Sequence, residues 1–350
     1  MTWEEPGLIL ATKLLEPPCY TVPTKSSQFE NWPLALVGAS SLLGTEVKDQ
    51  LAASGVPRDM VSLFDMKEVA GVLTEYGDEA RVLAETVSEN LLTHKLICFC
   101  NDPAKATESL DVILSSGKLG IDCTQAWSDD PRTFAWIPGV STPPTMNDQR
   151  AIVIPSAACL MLGTTLAALG RLGKQASATI FLPASDLGEA GLQELSQQSI
   201  AVLNLEAVDS PIFGRQLAFD LWPTACLRGE AQKVLRRELE QLDFVPPPLQ
   251  IIQAPVFHGM AMSLYVPDVD TSEVSRALLD ANLIVGTENG VQIDSPVLVT
   301  GTPGLHAIDV RPDHHGVWLW LTIDNLHARA AATVAAMWTM SVSELSDELQ

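Results

Sequence analysis

A cysteine stands at a strand-to-helix junction in the segment IVIPSAACLMLGTTLAALG, residues 152–170. The β-branched residues before Cys159 predict a strand, and the apolar run after it predicts a helix. A thiol in the first turn of a helix can have a lowered pKa and act as a nucleophile. The sequence therefore offers Cys159 either as a working catalyst or as the relic of one.

A glycine turn lies at an earlier strand-to-helix junction, in the segment LALVGASSLLGTE. Gly38 can bring the backbone close to a pyrophosphate, whose charge the N–H groups at the helix start would stabilise. Ser41 takes the middle position of a Gly-x-x-Gly-x-x-Gly turn, where a side chain obstructs that approach. The pattern favours an inherited turn over a bound dinucleotide. The candidate cofactor-binding residues are Gly38, Ser40, Ser41, Leu42 and Leu43.

Asp65 ends the next predicted strand, where the ribose of a dinucleotide is recognised in such folds. A carboxylate accepts hydrogen bonds from ribose hydroxyls and repels a 2′-phosphate. A dinucleotide bound here is therefore expected to be NAD rather than NADP.

The histidines offer no metal site by their spacing. His306 and the adjacent His314 and His315 lack the separations typical of metal ligands, so we predict no bound metal. Cys98 and Cys100 alternate within the apolar run KLICFC in the manner of buried strand residues.

The composition excludes several classes of protein. The chain has 350 residues and a formal net charge of −22, which repels a nucleic-acid backbone. It contains no apolar run of the roughly 18–20 residues that a membrane span requires. The first ten residues, MTWEEPGLIL, carry acids where a signal peptide is positive, and six cysteines are too sparse for a disulfide framework. We expect a cytoplasmic protein that binds neither nucleic acid nor membrane.

The chain divides into an extension and two folded parts. Residues 1–32 are broken by prolines and show no clear periodicity. From there to about residue 155, strands alternate with helices, which predicts a parallel sheet covered on both faces. The rest mixes long helices with β-rich pieces, among them HAIDVRPDHHGVWLWLTID with a hairpin turn at DHHG, and ends in an Ala-rich helix and a frayed acidic tail.

Six segments together resemble the aspartate-semialdehyde dehydrogenase family, in that family's order and at its spacing. They are LALVGASSLLGTE, GIDCTQAWSDDPRTFAWIPGVS, IPSAAC, FGRQLAFDLWP, QAPVFHG and TGTP. FGRQLAFDLWP and QAPVFHG look most like the family's dehydrogenase-like paralogues of unassigned activity. The resemblance implies an α/β fold, with a Rossmann-like domain over 33–155 completed by a C-terminal helix at about 326–345. It also implies an α+β catalytic and dimerisation domain over 156–325, and a homodimer or a partnership with an active paralogue.

The family's reaction is a phosphate-dependent, NADP-linked oxidation of an aldehyde through a cysteine thioester. The resemblance puts that cysteine at Cys159 but replaces the groups that work with it. The asparagine before the cysteine falls at Ala158, the orienting glutamine at Leu182, the substrate-binding arginine at Gln253, the catalytic histidine at Met260 and the phosphate-binding arginine at Ser128. Because such groups act as a unit, losing several together leaves almost nothing of the chemistry.

Two features of the sequence could preserve part of the site. Glu230 and Lys233 match the family's substrate-contacting positions, although an exposed i,i+3 ion pair is the favoured interpretation. His258 replaces the missing base only if Gly259 forms a bulge, because in a regular strand it lies roughly 6–7 Å from the position of Met260. A packed or solvent-facing His258 is favoured.

Three hypotheses follow. The favoured one is a degenerate member of the family, without dehydrogenase activity, that acts as a binding or assembly subunit. The second is an NAD(P)-dependent semialdehyde dehydrogenase with an altered substrate, which works through Cys159 with Glu230 and Lys233. The third is a metabolite sensor that binds a nucleotide at Gly38.

Overall fold

The structure is a computed structural model that describes residues 32–142, 150–226, 230–286 and 293–347. Side chains are described in these ranges except at 226, 230 and 342–347. The predicted N-terminal extension lies outside the described residues, apart from residue 32. Within the described part of the chain, no helix is long and apolar enough to cross a membrane.

The described elements follow one another along the chain. The strands are β1 (Leu34–Val37), β2 (Val61–Asp65), β3 (Leu73–Tyr76), β4 (Glu79–Val82), β5 (Ala84–Glu85), β6 (Leu96–Phe99), β7 (Leu119–Asp122), β8 (Phe134–Ala135), β9 (Ala151–Val153), β10 (Ser177–Leu182), β11 (Trp222–Pro223), β12 (Leu249–Gln253), β13 (Met260–Pro267), β14 (Ile284–Val285), β15 (Leu305–Asp313) and β16 (Gly316–Ile323). The helices are α1 (Leu42–Ala53), α2 (Ser88–Leu91), α3 (Pro103–Ser115), α4 (Ala157–Leu169), α5 (Gly188–Leu203), α6 (Glu230–Gln241), α7 (Thr271–Asp280), α8 (Pro296–Val299) and α9 (Asn325–Asp347).

The first sheet is parallel and has the order β5-β2-β1-β6-β7-β9-β8 among the described residues. Strands β1, β6 and β7 are buried along their whole length, which is typical of a sheet covered by helices on both faces. The predicted Rossmann-like sheet is therefore confirmed. The separate hairpin of β3 and β4 has no counterpart in the sequence-based prediction.

The second sheet is mixed, with the order β11-β12-β10-β13-β16-β15-β14 in the described ranges. Its central strands β10, β13 and β16 pair antiparallel and alternate between buried and partly exposed residues. The predicted DHHG turn is confirmed, because Asp313 and Gly316 face each other where β15 meets β16. The predicted α+β character of this half is therefore also confirmed.

The final helix returns to the first sheet. It packs against α1 and β7, and Gln50 on α1 donates to the backbone carbonyl of His327 at 3.0 Å. Helix α9 runs to Asp347, so the first part of the expected frayed tail is helical.

Candidate functional site

The candidate site lies where the carboxyl ends of β6 and β7 meet the start of α4. In open parallel sheets, this edge is where ligands bind. The first turn of α4 is tied to it through β9, because the N–H of Ile154 donates to the carbonyl of Asp122 at 2.9 Å. Cys159 occupies the third position of α4, after the N-cap Ser156.

Cys159 lies at a helix start, as the sequence predicts, but its side chain is fully buried. Its own N–H donates to the Ser156 hydroxyl at 3.2 Å. Burial, with the charge of Glu238 adding to it, raises the pKa of the Cys159 thiol well above its usual value. A thiol in this environment stays protonated at neutral pH, and the protonated thiol is a poor nucleophile.

Glu238 on α6 occupies the anion position at the start of α4. Its two carboxylate oxygens accept from the N–H and the hydroxyl of Ser156, at 2.8 and 2.6 Å. A helix start stabilises negative charge through its free N–H groups and its dipole. Here a carboxylate accepts from the N-cap residue, and the Ser156 hydroxyl in turn accepts from the N–H of Cys159. Burial raises the pKa of Glu238, against the opposing effect of these hydrogen bonds.

The residues at the family's other catalytic positions are part of the core. Leu182 and Met260 are buried in the same apolar cluster as Cys159. Gln253 is also buried, and its amide donates to the carbonyls of Leu182 and Pro183 at 3.1 and 3.2 Å. Its side chain therefore holds the carboxyl ends of β10 and β12 together.

His258 does not lie in a strand, so the condition under which it and Met260 would share a strand face is not met. Strand β12 ends at Gln253 and β13 begins only at Met260. Gly259 between them has φ +80°, and its N–H donates to the Asn325 side chain at 3.1 Å. A β-carbon at this glycine would lie 2.1 Å from the carbonyl oxygen of Pro296, so only glycine fits. His258 itself is partly exposed.

Glu230 and Lys233 lie in the first turn of α6. The side chain of Lys233 is exposed. The side chain of Glu230 lies outside the described residues, so their predicted role in substrate binding stays a prediction.

The glycine turn keeps its predicted backbone. Gly38 has φ +77°, and a β-carbon there would lie 2.5 Å from Asn101. Ser41 caps α1: its hydroxyl accepts from the N–H of Gly44 at 3.0 Å and donates to the carbonyl of Gly38 at 2.7 Å. The hydroxyl at the position of the missing glycine therefore has an internal structural role. Leu42 and Leu43 form the first turn of α1.

Asp65 contacts this turn directly. One of its oxygens accepts from the N–H of Ser40 at 2.8 Å, and the other accepts from the N–H of Met66 at 2.9 Å. The carboxylate is buried, with 1% of the residue exposed. A dinucleotide pyrophosphate needs free N–H groups and a neutral or positive surrounding. The amides of Ser40 and Gly44 already have acceptors, one of them anionic, so these residues fit a pyrophosphate poorly.

Ser128, the position at which the resemblance predicts the phosphate-binding residue, lies at a cavity. Ser128 and its neighbours line a cavity of about 310 Å³. Asp129 and Asp130 also line it, and Asp129 pairs with Arg237 at 2.6 Å while Asp130 pairs with Arg132 at 2.6 Å. The two arginines that contact these acids are therefore already paired.

Sequence reasoning missed two features of this edge. Arg329 on α9 extends to the carbonyl of Cys123, which follows β7. The thiols of Cys98, Cys100 and Cys123 lie together in the core below it. Cys98 and Cys100 are buried as predicted, but Cys123 joins them only because β6 and β7 are neighbours. No local sequence signal marks either feature.

Comparisons with known proteins agree with this architecture, although no family model matches the chain. An aspartate-semialdehyde dehydrogenase of Rickettsia conorii is 23% identical over 327 residues, covering 86% of this chain and 95% of the relative. A USG-1 protein homolog of Azotobacter vinelandii is 24% identical over 337 residues, covering 89% and 98%. The crystal structure of aspartate semialdehyde dehydrogenase II from Vibrio cholerae, complexed with ASA, superposes with a TM-score of 0.77 at 18% identity and covers 91% of this chain and 99% of that one.

The structural likeness establishes the fold, and the two relatives described are matched over nearly their whole length. Two kinds of relative, the dehydrogenases and the USG-1 homologs, are matched to a similar extent. The chain therefore has the fold of aspartate-semialdehyde dehydrogenases and is similar in sequence both to those enzymes and to USG-1 protein homologs.

Proposed function

We propose that this chain has no semialdehyde dehydrogenase activity and acts as a binding or assembly subunit. The observation that carries the proposal is the burial of the thiol. Cys159 is fully buried, and Glu238 accepts two hydrogen bonds from Ser156 at the start of the same helix. A thioester mechanism needs a thiolate and a base within hydrogen-bonding reach of the groups it serves. Met260 and Leu182 offer neither a proton acceptor nor a hydrogen-bond donor at the family's positions.

The experiment is a direct assay of the purified full chain. Aspartate semialdehyde and phosphate are supplied with NADP or with NAD, and formation of the reduced nicotinamide is followed. We expect no rate above that of a Cys159→Ala variant. A rate that Cys159→Ala abolishes would contradict the proposal and support the altered-substrate enzyme.

We further propose that the chain does not hold NAD or NADP in the manner of an active dehydrogenase. The support is the hydrogen bond from Ser40 to Asp65, which places an anion at the turn where a pyrophosphate would bind. Calorimetric titration with NAD, NADP and AMP tests this and the sensor hypothesis together. Saturable heat with any of them, lost when Gly38 is replaced by alanine in a folded variant, would refute the proposal.

For assembly, we propose a homodimer formed through the outer face of the second sheet. This face, called the aromatic face below, carries Phe181, Tyr265, Trp318 and Trp320. Tyr265 and Trp318 have ring centroids 4.8 Å apart, and Phe181 and Trp320 have theirs 5.8 Å apart. All four are partly exposed in the single chain, and aromatic residues are enriched in the cores of interfaces. With the domain division that we propose at residue 155, this face belongs wholly to the second domain.

A further inference from the structure

Three thiols form a cluster at the carboxyl edge of the first sheet. Cys98 and Cys100 lie on the same face of the chain at the end of β6, and Cys123 follows β7 beside them. None of the three is in a disulfide. Their sulfur atoms all lie within 4.8 Å of one another, and those of Cys98 and Cys100 are 3.9 Å apart.

These separations match those of three thiolates around one metal ion. With a metal–sulfur distance of about 2.3 Å, trigonal coordination places the sulfur atoms about 4.0 Å apart. One pair already has this separation, and the others reach it with shifts of less than 1 Å. We propose that Cys98, Cys100 and Cys123 bind one soft, thiophilic d¹⁰ ion, of which Cu(I) is the best match.

The donor set explains the choice of ion. Thiolates select soft ions, whereas a structural zinc site is almost always tetrahedral with four nitrogen or sulfur ligands. Among the described residues, the hydroxyl of Thr333 lies 3.2 Å from the Cys123 sulfur. A hydroxyl is a hard donor, so the site offers three soft ligands and suits three-coordinate Cu(I).

One nearby cation offsets part of the charge of the bound state. Each thiol loses its proton when it binds the ion, so three thiolates and Cu(I) carry a net charge of −2. Arg329 reaches the same place through its hydrogen bond to the Cys123 carbonyl. All three cysteines are buried, and none has more than 8% of its surface exposed.

The proposal is tested on the full chain with Cu(I), supplied anaerobically in competition with a Cu(I)-specific chelator. We expect one tightly bound Cu(I) per chain and an X-ray absorption spectrum with three sulfur neighbours. Replacing any one of Cys98, Cys100 and Cys123 by serine should weaken binding at least about 100-fold, since loss of even an outer-shell partner costs 10–100-fold.

The matched control is the triple variant Cys19→Ser, Cys159→Ser and Cys226→Ser, which removes the other three cysteines and should keep full Cu(I) affinity. Circular dichroism of every variant checks that it is folded. In the unsubstituted chain, one equivalent of Cu(I) should protect the three cluster thiols from alkylation. Equal Cu(I) affinity in the cluster variants and the wild type, or coordination by fewer than three sulfur atoms, would overturn the proposal.

Discussion

Glu238 on α6 accepts hydrogen bonds from both the backbone and the hydroxyl of Ser156, three residues before Cys159. This contact joins α6 to the start of α4 across 82 residues of sequence. The same start of α4 would have to stabilise a catalytic thiolate. The carboxylate that fixes this helix end also opposes a thiolate there, because its charge adds to the effect of burial in raising the pKa of Cys159.

Glu238→Ala is expected to destabilise the protein. The substitution leaves the N–H and hydroxyl of Ser156 without their acceptors in a buried place, which costs about 2–4 kcal/mol of the free energy of unfolding. Urea unfolding measures this. Glu240→Ala, on the exposed side of the same helix, should change the free energy by less than about 0.5 kcal/mol. Equal effects of the two variants would show that the Ser156 contact contributes nothing.

Cys159 is expected to resist alkylation in the folded protein. Burial and the neighbouring Glu238 raise the pKa of its thiol, so raising the pH from 7 to 9 should hardly increase its reactivity. An exposed thiol, with a pKa of about 8.5, becomes much more reactive over this range. Iodoacetamide labelling of the Cys159 peptide is followed by mass spectrometry, with the urea-unfolded chain as the reference. Labelling as fast as in the unfolded chain would refute the buried position.

Gly259→Ala is expected to disrupt the connection between β12 and β13. The new β-carbon meets the Pro296 carbonyl at 2.1 Å while the backbone has φ +80°, so the loss of stability should be at least about 3 kcal/mol. Gly301→Ala is the matched control, because it has φ +78° and open space around it. That control should lose only about 1–2 kcal/mol. Thermal or urea unfolding distinguishes the two.

The pair of His327 and Glu46 is expected to make stability depend on pH. Their side chains are 2.8 Å apart, which raises the pKa of His327 and lowers that of Glu46. The histidine contribution is complete below its unfolded pKa of about 6.5 and is lost as the pH rises through the raised folded value. The glutamate contribution is complete above its unfolded pKa of about 4.3 and is lost as the pH falls through the lowered folded value.

The pair should therefore contribute most between about pH 4.5 and 6.5, by about 0.5–1 kcal/mol. A double-mutant cycle of Glu46→Gln and His327→Gln, measured by urea unfolding at pH 5.5 and 8.5, isolates the coupling. A coupling energy that is larger at pH 8.5 would contradict the assignment.

Trp318→Glu is expected to convert the proposed dimer into monomers. A charge at the centre of an apolar interface must lose its water without gaining a partner, which is costly. Light scattering after size exclusion gives the mass. Val82→Glu, an equally drastic change at the exposed β3–β4 hairpin, should leave the mass unchanged. A monomeric wild type would refute the homodimer and leave a paralogue as the assembly partner to test.

Much of the fold could be predicted because its signals are local. The apolar runs of β1 and β6 and the turn at Gly38 each occupy a few adjacent residues. The position of Cys159 at the start of a helix could be predicted for the same reason. Its chemistry could not be predicted, because Glu238 and Arg329 reach the site from distant parts of the chain. Even the cluster of thiols becomes evident only once β6 and β7 are known to be neighbours.

The return of α9 to the first sheet also bears on the order of folding. Arg329 donates to the carbonyl of Cys123, and Thr333 contacts the thiol of the same residue, more than 200 positions earlier. During synthesis, the apolar face that α9 covers stays exposed until residues 325–347 have left the ribosome. An uncovered face of this kind is prone to aggregation. The first sheet is synthesised early but covered last. A chain released before α9 is made would therefore expose this face and need a chaperone.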